Sequence, residues 1–220
     1  MIGVIIPAHD EEAFIGPTLR AALRAAAHPG LLDEPVRIVV VLDDCSDATE
    51  EIARGYRVET LPLTARNVGR ARAAGAAMLL EAGADWLAFT DADTQVSADW
   101  LVAQRSLGVD AVCGSVAVTD WWRHGPDFVK LAERFARRYV DADGHRHIHG
   151  ANLGVSAQAY RLVGGFSGLA CGEDVALVEA LMAAGANVAW SALPRVATSA
   201  RPQARVRGGF GDTLLAMAAE

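Results

Sequence analysis

Cysteine is scarce in this chain: Cys45, Cys113 and Cys171 are an odd number at wide spacing. That pattern excludes a disulfide framework and a thiolate metal site, and it fits a reducing compartment. Long apolar runs are missing as well. No stretch reaches the roughly 18 apolar residues that a membrane-spanning helix needs. Residues 1–7 are apolar but lack a basic leader and run straight into His9-Asp10-Glu11-Glu12. They read as a buried first strand, not a signal peptide, and a cytoplasmic location is the expectation. Positive charge is in deficit, with a formal net charge of −7. A general nucleic-acid binder would show a basic face. An anionic substrate stays compatible, because a bound cation masks local carboxylates. Internal repeats and low-complexity linkers are absent. What is present is 220 residues, 52% of them hydrophobic. That excludes disorder and suffices for one domain with a sizeable core.

The apolar pattern alternates between two periods. Residues 2–6, 36–42, 58–61 and 86–90 read as short buried strands, and 109–118 as a further strand. Between them lie helical stretches. Residues 11–27 carry Leu19 and Leu23 four apart, and Ser46 or Asp47 caps a helix running to about Arg54. Residues 67–82 form an Ala-rich helix, and Ser97 starts another. This rhythm predicts a mostly parallel sheet with helices on both faces. Polar clusters follow the strands: His9-Asp10-Glu11, Asp43-Asp44 and Asp91-Ala92-Asp93. Ligands of open parallel sheets bind at the strands' carboxyl ends, so the clusters should converge on one crevice. Residues 119–148 are less regular and hold Trp121, Trp122, Phe128, Phe135 and Tyr139, with 141–147 reading as a polar loop. A Gly-rich apolar segment (150–166), Gly172-Glu173-Asp174 and a helix over 175–184 follow.

Several side-chain sets can carry chemistry. Asp91 and Asp93 can present oxygens to one hard cation, Mg²⁺ or Mn²⁺, that clamps a diphosphate; turn aspartates look the same. Asp43 and Asp44 accept hydrogen bonds only, which suits base N–H groups and ribose hydroxyls, or a solvated turn. Arg66, Arg70 and Arg72 offer guanidinium groups to phosphate or to a solvent face. Glu173-Asp174 can supply a general base or cap a helix. His145, His147 and His149 alternate, so an extended segment would point them one way, towards a transition metal. A polar surface loop accounts for His145, and His147 or His149 can line an acceptor pocket. Trp121 and Trp122 suit stacking on a sugar or lipid, or covering a core edge. Arg201, Arg205 and Arg207 suit a mobile lid over a diphosphate, contact with acidic lipid head groups, or a disordered tail.

Read in order, residues 4–12, 39–47, 67–72, 90–93, 150–155 and 172–174 resemble the inverting family 2 glycosyltransferases of the GT-A fold. The resemblance implies one Rossmann-like GT-A domain. Its nucleotide-sugar half would span 1–115, its acceptor and catalytic half 116–195, and a basic flexible tail 196–220. It implies metal-dependent transfer, with inversion, from a UDP- or GDP-type sugar to the hydroxyl of a sugar, lipid or small-molecule acceptor. Asp174 takes the base role, assisted by Glu173. The nucleotide sugar is contacted from Pro7, His9, Glu11, Asp43, Asp44, Asn67, Arg70, Arg72, Asp91, Ala92, Asp93, Gly150 and Asn152. Among these, Asp44 and Glu11 read the nucleoside, and Arg72, with Arg70 second, takes the diphosphate. Asp93 ligates the metal, with Asp91 on ribose or on the metal through water. Arg201 and Arg205 would form the phosphate lid. Contact with the inner face of a membrane and a homodimer belong to the same expectation. One departure stands out: the histidine that sometimes completes such a metal site lies downstream of the base, and no histidine follows Asp174. Three other readings stay open. A sugar-phosphate nucleotidyltransferase shares the topology, but usually carries a basic Gly-rich loop where His9-Asp10-Glu11-Glu12 stands. A non-catalytic nucleotide-sugar-binding module fits a chain that is short for the family. A retaining mechanism would differ in the anomeric configuration of the product.

Overall fold

The first strand, β1 (Ile2–Ala8), is buried along almost its whole length. Its neighbours β2 (Val36–Asp43) and β4 (Trp86–Phe89) run parallel to it, with Ile5 opposite both Val39 and Phe89. β3 (Glu59–Leu63) extends the sheet beyond β2. Strands covered on both faces lose the usual polar alternation, which is why their sequences are continuous apolar runs. The computed structural model describes residues 1–202 and 210–219.

Crossover helices α1 (Ile15–Ala26), α2 (Thr49–Arg54) and α3 (Val68–Glu81) join these strands. They create one core on each side of the sheet. Ile2, Val4 and Ile6 point into the first with Leu19 and Ala22 of α1. Ile5, Val39 and Val41 point into the second with Ala76 and Leu79 of α3. Helix α3 lies against the sheet through Gly75, where a Cβ would meet Ile5 Cγ2 at 2.7 Å and Val41 Cγ2 at 2.9 Å.

The remaining strands depart from a simple parallel repeat. β6 (Ala111–Gly114) does not pair with β4; β8 (Leu153–Ser156) inserts between them, antiparallel to both. With β9 (Val188–Ser191) at the edge, the sheet order is β3-β2-β1-β4-β8-β6-β9. The single strand expected over 109–118 is broken at Ser115-Val116, and its second part, β7 (Ala117–Thr119), joins a small sheet with β5 (Thr94–Val96) and β10 (Val196–Ser199). This small sheet carries the loop after β4 and the end of the chain to the same place.

Four helices follow α3 in the main body: α4 (Trp100–Ser106), α5 (Phe128–Arg138), α6 (Ala157–Leu162) and α7 (Glu173–Ala183). The segment 119–148 is therefore more regular than its sequence suggests. The segment from 196 opens with a paired strand, and α8 (Phe210–Ala219) sets Leu214 against Phe135 of α5. Helix α1 starts four residues later than expected, because Glu11 to Phe14 form a turn whose carbonyl at Glu11 accepts from the N–H groups of Phe14 and Ile15. No helix among the described residues is long and apolar enough to cross a membrane.

Candidate active site

Because β1, β2 and β4 are parallel, the loops that follow them leave one edge of the sheet and face one cleft of about 600 Å³. Pro7, His9, Glu11, Asp43, Asn67, Arg72, Asp91, Ala92, Asp93, Gly150 and Asp174 all contribute to its wall. The predicted convergence of acidic loops is thus present, but the side chains divide the work differently.

Asp43 is buried and accepts from the backbone N–H groups of Ala65, Arg66 and Asn67 at 2.6, 2.9 and 2.8 Å. It builds the turn into α3, and three of its acceptor positions go to that backbone, beside the supporting role expected of it at the nucleoside. His9 Nδ1 lies 2.7 Å from the Asp43 carbonyl and braces the same turn. Asp44, expected to read the base, does not line the cleft; it pairs with the exposed Arg66, which does. Both have positive φ, 55° and 47°, as does Asp10 at 51°. Non-glycine residues in this region cost free energy and persist only where surrounding contacts hold them. Here the carboxylate of Asp10 accepts from Ser46 N–H at 2.7 Å.

Asn67 caps α3, accepting from Arg70 N–H at 2.8 Å, and donates to the carbonyls of Gly168 and Leu169 at 3.2 and 2.9 Å. Its expected contact with the nucleotide gives way to tethering the loop that precedes α7. Arg70 is exposed, on the side of that loop at Gly168. Gly69 admits the loop: a Cβ there would collide with the Ser167 carbonyl and crowd Glu173.

Two arginines hold the acidic centre together. Arg72, 4% exposed, pairs with Asp91 at 2.6 Å and with Glu173. Burial pushes the Glu173 carboxyl up, and the Arg72 charge opposes that. Arg72 was expected on a diphosphate; its guanidinium is instead committed to joining α3, the loop after β4 and the start of α7. Gly150 sits against it, and a Cβ there would overlap the guanidinium. Arg201 closes the opposite side. It donates to both carboxylate oxygens of Glu11 at 2.6 and 2.7 Å and lies 3.1 Å from Asp93. Its expected place was a lid over phosphate. Here it is a counter-charge to Glu11 and Asp93 in the cleft wall, an ion pair that local sequence gives no sign of. Burial pushes Asp93 up to about 6, Arg201 pulls it down, and the charges of Asp91 and Glu11 push it further up. Ala92 is buried between them, its carbonyl accepting from Thr18 Oγ1 at 2.8 Å. Arg205 and Arg207 lie outside the described residues.

On the far wall, Asp174 Oδ2 accepts from Gly150 N–H at 2.8 Å, so the loop before β8 aims the expected base. Asn152, two residues on, is a correction. It is 0% exposed, accepts from Trp100 Nε1 at 2.9 Å and donates to the carbonyls of Ser115 and Pro194 at 2.7 and 2.9 Å. Every polar atom of its side chain is spent inside the fold, so it cannot touch a nucleotide sugar.

The alternating histidines form a stacked row, not a metal site. His145 is buried, against the expectation of a surface loop. Its Nδ1 accepts from His147 N–H at 3.1 Å, and His147 Nε2 accepts from Val140 N–H at 3.2 Å. Ring centroids are 5.4 Å apart for His145–His147 and 5.9 Å for His147–His149, and Tyr139 lies 4.1 Å from His147. Only His149 of the three lines the cleft. Burial, reinforced by His147, pushes it down to about 4. A free histidine titrates near 6.5, so the folded state binds fewer protons than the unfolded one as pH falls. The stability held by neutral His149 is present above about 6.5 and is lost towards pH 4. Between pH 7 and 5 the loss should be about 2 kcal/mol, and His149→Phe should remove that part of the acid slope in urea unfolding at the two pH values. An unchanged slope would contradict it. Trp121 packs on Phe135 at 5.4 Å and covers a core edge, whereas Trp122 is 64% exposed under Arg123.

A family model, glycosyl transferase family 2, matches residues 3–121. The chain belongs to that family. Its fold is GT-A, shared with S. aureus TarS bound to UDP-GlcNAc, which is 14% identical with a TM-score of 0.69 over 95% of this chain and 61% of that one. The mannosyltransferase PcManGT from Pyrobaculum calidifontis, in complex with GDP-Man and Mn²⁺, is 20% identical with a TM-score of 0.61 over 88% of this chain and 57% of that one. The chain therefore spans about three-fifths of the length of these structures. No curated protein matches it.

Proposed function

We propose that this protein transfers a sugar, with inversion, from a nucleoside diphosphate sugar of UDP or GDP type to an acceptor hydroxyl. The observation that carries this reading is the placement of Asp174, oriented by Gly150 N–H, in the same cleft as Asp91 and Asp93 at the strands' carboxyl ends. An inverting transfer needs one base opposite the leaving diphosphate, and Asp174 enters the cleft from the start of α7 while Asp91 and Asp93 enter it from the loop after β4. Asp174 takes the proton of the attacking hydroxyl. Arg72 holds Glu173 and Asp91 in place. Pro7 and Glu11 face the nucleoside.

The carboxylates Asp91 and Asp93 fit a hard divalent ion such as Mn²⁺ or Mg²⁺. Asp93 is buried, short of positive charge apart from Arg201, and its carboxyl is pushed up to about 6. No three acidic, histidine or cysteine side chains among the described residues group as a metal site. The protein would supply one or two oxygens and the donor diphosphate the others, an arrangement usual for Mg²⁺. Such an ion, when bound, neutralises charge on the departing nucleoside diphosphate. The neighbours' ligands, UDP-GlcNAc in one and GDP-Man with Mn²⁺ in the other, support this class of donor.

The test is thermal unfolding with UDP, GDP, CDP or dTDP, each with and without Mn²⁺, repeated on Asp93→Ala. One nucleotide at about a hundred times its Kd should raise Tm by roughly 5–10 °C. The shift should need Mn²⁺ and vanish in the variant. No shift with any nucleotide would overturn the reading.

A further inference from the structure

The guanidinium of Arg201 is built into the cleft from three directions. Glu11 takes both of its outer nitrogens, at 2.6 and 2.7 Å. The Phe14 ring lies against it, with Arg201 Cζ 5.4 Å from the centroid, and Arg123 lies over the same ring at 5.1 Å. A cation held over an aromatic face gains free energy and loses freedom of movement. Asp120 fixes the backbone that carries the side chain. It accepts from Ala200 N–H at 3.0 Å and from Ser199 Oγ at 2.9 Å, and Ser199 Oγ in turn accepts from Arg201 N–H at 3.2 Å. Together these contacts set Nη2 3.1 Å from Asp93 Oδ2.

Asp93 is thereby committed. Its carboxylate is 11% exposed, and the hydroxyls of Thr94 and Thr198 stand off from Oδ1 at 3.4 and 3.5 Å, longer than ordinary O–H···O bonds. Arg201 is its counter-charge. A divalent ion held by this carboxylate sits about 2 Å from an oxygen. It would then stand within a few ångströms of a guanidinium, where two cations repel strongly. A lysine could yield by giving up its proton, but a guanidinium keeps its charge and has to move. Glu11 can retain it while Nη2 leaves Asp93, because the two contacts are separate. Charge, not sterics, opposes the exchange, and a diphosphate brings the negative charge that two neighbouring cations need.

We propose that Arg201 and the divalent ion compete for Asp93, so that the protein by itself binds the ion weakly and takes it up together with the nucleotide. Arg201 sets the order of binding. It keeps the acidic site neutralised and reserves it for an ion that arrives with a diphosphate. The inference rests on the reading of Asp93 as a metal ligand, and adds the residue that makes ion binding and nucleotide binding interdependent.

Binding of Mn²⁺ alone to the full chain, followed by loss of the free-ion EPR signal, tests this apart from turnover. Arg201→Met should bind Mn²⁺ at least about tenfold more tightly than the parent. Adding Asp93→Ala to Arg201→Met should abolish that gain, because the gain belongs to this carboxylate. Arg201→Met/Glu11→Gln removes the arginine together with its main buried partner, and so covers the case in which the single variant fails to fold. It too should bind Mn²⁺ more tightly than the parent. In thermal unfolding, Mn²⁺ alone should raise the Tm of Arg201→Met at concentrations that leave the parent unchanged. Equal Mn²⁺ affinity in the parent and the Arg201 variants, a gain that survives Asp93→Ala, or no Mn²⁺ binding by any of them would each overturn the proposal. Failure of the glycosyltransferase reading would appear separately, as the absence of any nucleotide-induced thermal shift in the parent.

Discussion

Asp174→Asn is expected to lower the transfer rate by roughly 10²–10⁴-fold while leaving the nucleotide-induced thermal shift intact. Both oxygens of Asp174 accept, Oδ2 from Gly150 N–H and Oδ1 from Val175 N–H, each at 2.8 Å; asparagine keeps the oxygen for Gly150 and gives up only the bond at Val175 in the first turn of α7, so the loop should stay in place. What disappears is the capacity to take a proton as the acceptor hydroxyl attacks. In the proposed reading the donor's nucleoside and diphosphate lie against the loops after β1, β2 and β4, so their affinity should survive. A kcat within tenfold of the parent would remove Asp174 from the base role. Loss of the thermal shift as well would mean that the substitution disturbs the donor side through Glu173 and Arg72.

Arg72→Met should destabilise the fold by about 3–5 kcal/mol, since removing one partner of a buried ion pair leaves uncompensated charge. Here two carboxylates lose their partner together: Glu173, 6% exposed, and Asp91, at 2.6 Å. For a domain of this size the loss corresponds to a fall of roughly 10 °C or more in Tm. The double variant Arg72→Met/Glu173→Gln should recover part of the loss, because the buried charge goes with its partner; a double-mutant cycle in urea measures the coupling. A single-variant cost below about 1 kcal/mol would show that water or a shift of α7 meets the stranded carboxylates, and would sink the idea of a buried charge network.

Much of this could be read from the residues, for identifiable reasons. β1, β2 and β4 are buried on both faces, so their apolar runs mark them without reference to any partner. The acidic clusters follow at fixed distances, and parallel strands must deliver them to one edge. The insertion of β8 between β4 and β6 was not legible: residues 153–156 pair with strands at 86–89 and 111–113, and nothing local distinguishes that arrangement from a parallel one. Side-chain roles divided along the same line. Asp174, Asp91 and Asp93 line the cleft that the strand order predicts. Asp43 and Asn152 carry the right chemistry for a ligand but spend it on backbone groups, a choice visible only once the chain is folded. His145 shows the same effect in reverse. Its neighbours Asp141, Asp143 and Arg146 give a polar segment, yet the ring turns inward beneath Ser191. Arg201 pairs with Glu11 across 190 positions, a separation at which sequence patterns hold no information about contact.

That last contact also bears on how the protein comes into being. The cleft wall draws on residues from Pro7 to Gly211, so it can be completed only once the segment around Arg201 has joined the loop after β1. Until Arg201 arrives, Glu11 and Asp93 face each other without their shared cation. Joining residues 190 positions apart carries the entropy of closing a long loop, so this contact forms after the local helices and strand pairs. The cleft is in that sense a product of distant segments brought together, and residues 1–115 alone cannot form it in the same shape.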